Sequence, residues 1–208
     1  MAIGSDLLAI PNRVVVFDYG EVISRSPDAV ARAKLVRTAD VPESSFWPVY
    51  WQHRDGLDQG TTSTRDYWKL VAADLGAHWS ESRIQELWVA DFTGWLSVEP
   101  GTFDVIADLH AGGTRLALLS NAGFDYASAF RFSPIGRFFE RQFVSAEMGL
   151  IKPDPAIFLE VARELGISPA EMVFIDNKQI NVDGATAVGI IGHLYVGPGE
   201  LRSFLSSL

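Results

Sequence analysis

Five short apolar runs punctuate the chain: Arg13 to Phe17, Arg115 to Leu119, Arg141 to Ser145, Met172 to Ile175 and Ile190 to Val196. They are rich in Val, Ile, Leu and Phe and mostly do not alternate with polar residues, the pattern of parallel strands covered on both faces. Helical periodicities lie between the later runs. Pro100 to Ala111 places Phe103, Ile106, Ala107 and His110 on one face and stops at Gly112-Gly113. Pro155 to Leu165 begins behind Asp154, carries Ile157, Phe158, Val161 and Leu165, and stops at Gly166. Strand and helix in alternation predict an α/β fold, a doubly wound parallel sheet with right-handed crossovers.

Residues 24–98 break this rhythm. They contain no strand-like run but carry helix patterns near Asp28 to Thr38, Ser63 to Leu75 and Ser80 to Phe92. Trp47, Trp51, Trp68, Trp79 and Trp88 lie in this stretch, with Trp95 at its exit. The expectation is an inserted α-helical subdomain at 24–98, with 1–23 and 99–208 forming a Rossmann-like core.

Composition narrows the chemistry. A chain of 208 residues, 48% apolar and 21% charged, buries a core without disulfides or structural metal. It has no cysteine, which removes thiolate zinc sites, iron-sulfur clusters and thiol nucleophiles. The net charge of -9 opposes binding to nucleic acid or an anionic membrane, so an anionic substrate must find its positive charge locally. No run reaches the roughly 20 apolar residues that span a bilayer, and the segment Met1 to Asp6 lacks the basic start of a signal peptide. The cytoplasm is the expected location.

In open parallel sheets, ligands bind beyond the carboxyl ends of the strands. Four of the five runs lead into chemically useful residues there. Asp18 follows the first run, and Ser120-Asn121 follows the second, offering a hydroxyl, an amide and backbone N–H groups to an anion. Lys152, ahead of Pro153 and a helix N-terminus, lies beyond the third, and Asp176-Asn177 ends the fourth. Singly, each has an ordinary reading: a turn-forming Asp, a helix cap, a solvated lysine. Asp18 and Asp176 together can supply two hard oxygen ligands for magnesium.

Taken in order, Asp18, Ser120, Lys152 and Asp176 resemble the motifs of the haloacid dehalogenase superfamily. The resemblance covers nearly the whole chain, and the Asp58-Gln59-Gly60 turn with its following helix looks like the helical cap of that superfamily's small-molecule phosphatases. It implies that Asp18 is the nucleophile and that magnesium is held by Asp18, the Gly20 carbonyl and Asp176, with an oxygen from Asn177. It also implies that Ser120, the Asn121 backbone and Lys152 hold the phosphate. The substrate class implied is a small phosphorylated metabolite, sugar phosphates included.

Two positions depart from the family pattern. The acid that most of these phosphatases carry two residues beyond the nucleophile is Gly20 here, which removes general acid–base help worth about 10² to 10⁴ in rate. Glu21 can substitute only if the turn is sharply bent. Asn177 stands where a second acid is common, which implies weaker magnesium affinity. Two other classes are therefore kept: a noncatalytic binder of a phosphorylated ligand or protein partner, and a metal-independent dehalogenase. Against the dehalogenase stand Gly20, where that branch has Tyr, and the acid at position 176.

Within 24–98, Trp47, Tyr50, Trp51, Tyr67 and Trp68 can line a substrate pocket or build a small core, and at 47, 51 and 68 the core reading is preferred. His53 and Arg54 are the candidates for contacting the part of the substrate remote from phosphorus. His78, His110 and His193 share no metal-ligand spacing. The aromatic-rich insertion leaves either a monomer or a homodimer open.

Overall fold

A computed structural model describes residues 7–208; Met1 to Asp6, read above as lacking a basic start, lie outside the described residues. The chain runs β1 (Val14–Phe17), α1 (Ala29–Ala39), α2 (Glu43–Gln52), α3 (Arg54–Asp58), α4 (Thr64–Asp74), α5 (Glu81–Gly94) and α6 (Pro100–Ala111). It continues through β2 (Arg115–Ser120), α7 (Tyr126–Phe132), β3 (Arg141–Val144), α8 (Ser145–Met148) and α9 (Pro155–Leu165). It then closes with β4 (Met172–Asp176), α10 (Gln179–Ala187), β5 (Ile191–Leu194) and α11 (Pro198–Leu205). The five strands form one sheet in the order β3-β2-β1-β4-β5, and every neighbouring pair is parallel.

The continuous apolar runs are explained by burial on both sides. Val15, Phe17, Leu116, Leu118, Val173 and Ile175 face one layer, packed with side chains of α6, α7 and α11. Val14, Val16, Ala117, Leu119, Met172 and Phe174 face the other, packed with α9 and α10. The expected doubly wound sheet is therefore present. Its chain order reverses between β1 and β4: β2 and β3 build outward on one side of β1, and β4 and β5 on the other. That reversal opens a crevice at the carboxyl ends of β1 and β4.

Helices α1 to α5 lie between β1 and β2 in the chain and have an apolar cluster of their own, centred on Leu35, Phe46, Tyr67, Trp68, Val71 and Leu87. Asp28, Ser63 and Ser80 cap α1, α4 and α5, each accepting a backbone N–H from the first turn. The two connections to the core run side by side. Ser24 and Val98 form an antiparallel bridge, Arg25 N–H donates to Ser97 O at 2.7 Å, and Glu99 N–H donates to Ile23 O at 2.8 Å. Helix α2 was hidden in the sequence by Pro48 within it, and α3, with five residues including Gly56, is too short to show a period.

No helix among the described residues is long and apolar enough to cross a membrane.

Candidate active site

Strands β1 and β4 lie in register with Phe17 beside Ile175, so the residues that follow emerge together: Asp18 N–H donates to Ile175 O at 2.8 Å, and Asp176 occupies the last position of β4. From the loop ahead of α9, the Lys152 ammonium reaches both. Its Nζ lies 2.8 Å from Asp18 Oδ1, 2.7 Å from Asp176 Oδ2 and 3.1 Å from Leu119 O. Asp176 also accepts from Lys178 N–H at 2.8 Å and Asn181 Nδ2 at 3.0 Å. Ser120, at the end of β2, is buried beside them.

Asn121 acts on Lys152 through its side chain. Its Oδ1 accepts Lys152 N–H at 2.9 Å and its Nδ2 donates to Lys152 O at 3.0 Å, a two-point clamp on the loop that carries the ammonium. This is a positioning contact, additional to the backbone role expected of Asn121.

One cation facing two carboxylates leaves one negative charge uncompensated. Burial pushes the Asp18 carboxyl up to about 6; Lys152 pulls it down and Asp176 pushes it further up. Burial likewise opposes the charge on Lys152, but Asp18 and Asp176 together hold its pKa above the ordinary lysine value.

The turn after Asp18 is sharply bent, as a Glu21 substitute for the missing acid requires: Glu21 has φ 61°, in the left-handed region, and Ile23 and Ser24 N–H both return to Tyr19 O. Its carboxylate, however, is engaged, accepting from Asn177 Nδ2 at 2.7 Å and from the Ser26 hydroxyl. A carboxylate only accepts, so it draws the amide NH₂ of Asn177 toward itself and turns Oδ1 away. Asn177 Oδ1 is buried and has no hydrogen-bond partner among the described residues. That atom, the Asp18 and Asp176 carboxylates and the Gly20 carbonyl are the oxygens here that could hold a hard cation, one that takes few carboxylates and completes its shell with carbonyls, water and phosphate.

A cavity of about 450 Å³ joins Asp18, Ser120 and Lys152 to the helical insertion. Arg54 lines it, as do Trp47, Tyr50 and Trp51, while Tyr67 and Trp68 are core. Trp51 is half exposed and belongs to the cavity wall, a correction to the core reading preferred for it. His53 is not in the wall; its ring pairs with Asp74 at 2.8 Å on α4. At the end of α5, Trp95 covers Gly20, whose missing Cβ would sit 3.8 Å from Trp95 Cζ3. Asp91, Trp95 and Tyr126 also line the cavity and were not singled out from sequence. Asp91 had a signal: it continues the buried stripe of α5 from Ile84 and Leu87, where an acid is out of place.

With this arrangement in view, the sequence signature of the haloacid dehalogenase-like hydrolases matches residues 9–189. The chain belongs to that family. It is 27% identical over 190 residues to mouse acyl-CoA dehydrogenase family member 10, covering 86% of this chain but 17% of that protein. The chain thus spans under a fifth of that relative's length. It is 23% identical to the sesquiterpene phosphatase astK of Aspergillus oryzae, covering 86% of this chain and 88% of that one. Among solved structures, the enzyme bt-2542 of Bacteroides thetaiotaomicron, in complex with magnesium and inorganic phosphate, aligns with TM-score 0.69. Its identity is 20%, and the alignment covers 88% of this chain and 93% of that one. The L-2-haloacid dehalogenase RSc1362 aligns with TM-score 0.70 at 17% identity over 93% and 98% of the two chains. At these identities the structural likenesses speak to the fold alone.

Proposed function

We propose that this hydrolase is a magnesium-dependent phosphatase of a small phosphorylated metabolite, acting through a phosphoryl group carried on Asp18 and favouring leaving groups of low basicity. The observation that carries the reading is the convergence of Asp18 and Asp176, from adjacent strands, on Lys152 beside Ser120 in one cavity. An Asp18 oxygen attacks phosphorus, and the bond to the leaving oxygen breaks with its electron pair. Water then attacks the same phosphorus, releasing inorganic phosphate and restoring the carboxylate. Ser120 and the Asn121 backbone receive the nonbridging oxygens, and Lys152 supplies the local cation that an acidic chain needs for an anionic substrate. Asp18, Gly20 through its carbonyl, Asp176 and Asn177 would hold magnesium, which supplies positive charge against the repulsion between carboxylate and phosphate.

In this reading residues 24–98 act as a cap over the strand ends, entering and leaving through the Ser24 and Val98 neck. The leaving-group preference follows from Gly20. Without an acid there, and with Glu21 held by Asn177 and Ser26, the departing oxygen carries more charge into the transition state. Alkyl esters suffer most; anomeric sugar phosphates, acyl phosphates and aryl phosphates suffer least.

The test is a panel of these esters assayed with and without magnesium, on wild type, Asp18→Asn and Gly20→Asp. Turnover should require both magnesium and Asp18 and should depend steeply on leaving-group basicity. Gly20→Asp has room at Cβ and should flatten that dependence by raising the alkyl esters selectively. Wild-type rates in Asp18→Asn would refute the mechanism, and a shallow dependence in wild type would refute the leaving-group argument. Metal-independent release of halide from a haloacid would point to the dehalogenase instead.

A further inference from the structure

In the wall of the same cavity, the helical insertion builds a second buried polar cluster. Arg54 Nε lies 3.1 Å from Asp58 Oδ1, and Arg54 Nη1 lies 3.1 Å from Asp91 Oδ2 and 2.7 Å from the Tyr50 hydroxyl. That hydroxyl donates in turn to Asp91 Oδ1 at 2.7 Å. All four residues line the cavity and are less than a tenth exposed. Burying one guanidinium and two carboxylates is costly, and apolar side chains of similar volume would hold the helices together at least as well.

Two groups in the cluster are left over. Arg54 Nη2 makes no hydrogen bond among the described residues. The hydroxyl of Tyr126, a buried residue that α7 contributes to the cavity wall, faces the Arg54 guanidinium without well-formed hydrogen-bond geometry and has no other partner among them. Both can donate, and the aspartates retain lone pairs that can accept. The charge sets the sign of what fits. With one cation against two carboxylates, the cluster has an excess of negative charge, so a second anion on the substrate would meet repulsion there. The other cavity cations, Arg32 and Lys178, are exposed to solvent, which screens them; Lys178 acts on Asp58 from outside the cluster, and Arg32 rests over the Trp47 ring at 4.3 Å.

The geometry points to Arg54, Asp58, Asp91 and Tyr126 as a subsite for an uncharged, hydroxyl-bearing leaving group, one that rejects a carboxylate or second phosphate there. Substrate hydroxyls accept from Arg54 and Tyr126 and donate to the aspartates, and the wall tryptophan Trp51 offers an aromatic face to an apolar ring surface. The discrimination comes from the built-in negative excess, which disfavours the wrong ligand more than it favours the right one.

The kinetic arm of the test rests on the phosphatase reading; the binding arm does not. Hexose 1-phosphates and the matching uronic acid 1-phosphates share a leaving oxygen and differ by one carboxylate remote from phosphorus. Assayed on the full chain with magnesium, the neutral member of each pair should have a kcat/KM at least tenfold higher. Asp91→Asn, which removes the excess charge and keeps the shape, should reduce that ratio to threefold or less. Tyr126→Phe, which keeps the buried ring, should lower kcat/KM for hexose 1-phosphates at least fivefold relative to acetyl phosphate. Equal kcat/KM within the wild-type pairs overturns the subsite while leaving the phosphatase reading intact. If no phosphate ester is turned over, that reading fails, and tryptophan-fluorescence titration with free hexoses and free uronates decides the subsite. Preferential quenching by the hexoses supports it; equal or absent quenching overturns it.

Discussion

Replacing Asp18 with Asn should make the metal-free chain more stable at neutral pH while abolishing turnover. Lys152 faces Asp18 and Asp176 at 2.8 and 2.7 Å, and the three side chains are 1%, 10% and 0% exposed, so one buried negative charge lacks compensation. Asn leaves Lys152 paired with Asp176 and the site neutral. The sign with pH follows from the raised carboxyl. Asp18 titrates near 6 in the folded chain, chiefly because it is buried. In the unfolded chain an Asp titrates near 3.9. Between these values the folded state binds more protons, so stability is fully present below about pH 4 and is lost as pH rises through 6. At 1.36 kcal/mol per pH unit the loss is about 3 kcal/mol, or roughly 6–12 °C in Tm for a chain of this size.

Urea unfolding followed by tryptophan fluorescence in chelator should therefore show Asp18→Asn more stable than wild type at about pH 7.5, by up to about 3 kcal/mol. The gap should narrow steadily as pH falls toward 4. Magnesium, supplying the missing positive charge, should raise wild type more than the variant and shrink the gap at neutral pH. A variant that is equally or less stable at about pH 7.5, or a gap that ignores pH, would mean that the attraction of Lys152 outweighs the burial of Asp18.

Two smaller experiments probe the surroundings. Glu21→Gly removes the carboxylate that turns the Asn177 amide and suits the left-handed backbone at that position; calorimetry should show magnesium affinity falling about tenfold, whereas Glu21→Gln, which keeps an acceptor, should lose less. Gly60→Ala should cost roughly 2 kcal/mol or more in urea unfolding and speed amide exchange across 54–62, because its Cβ would lie 2.6 Å from Ala146 O where the insertion rests on the core. Gly76→Ala is the control: φ is similarly positive, no atom lies within 4 Å of the new Cβ, and the cost should be about 1 kcal/mol.

The core was readable because each of its signals is local. A buried parallel strand is a run of β-branched and aliphatic residues, and three site residues sit directly behind such runs, so Asp18, Ser120 and Asp176 could be placed by position alone, whereas Lys152 lies in the loop seven residues beyond the third run. The strands even run into the chemistry: β2 and β4 extend to Ser120 and Asp176, one residue beyond the apolar stretch. The insertion was less readable because its site is assembled from pieces distant in sequence. Arg54 meets Asp91 across 37 positions, and the partner of His53 is Asp74 across 21. Being polar and close to an aromatic cluster therefore did not distinguish His53, which pairs on α4, from Arg54, which faces the cavity. Asn121 shows a third limit: its type and place suggested an anion contact, but its side chain clamps the Lys152 loop.

The two charged clusters in the cavity wall share a construction, one buried cation between two buried aspartates, and differ in the polar atoms left unpaired beside them. Beside Lys152 the leftover atoms are an acceptor, Asn177 Oδ1, and one donor, Trp95 Nε1, and the excess negative charge of Asp18 and Asp176 there suits a cation held through the acceptor. Beside Arg54 the leftover groups are donors, Arg54 Nη2 and the Tyr126 hydroxyl, so the same excess of charge is matched by a neutral group that can accept from them and donate to Asp58 or Asp91. Each site carries more negative than positive charge, and in the proposed reading a different part of one substrate, with its magnesium, would offset each. A ligand that satisfies both clusters at once gains from both, which predicts that magnesium and an uncharged polyhydroxyl phosphate together stabilise the chain more than a phosphate ester with a second charged group does. Thermal shift measurements with a slowly hydrolysed phosphonate pair, one neutral and one carboxylated, would show this as a larger Tm rise for the neutral analogue, and equal rises would remove the distinction drawn between the two clusters.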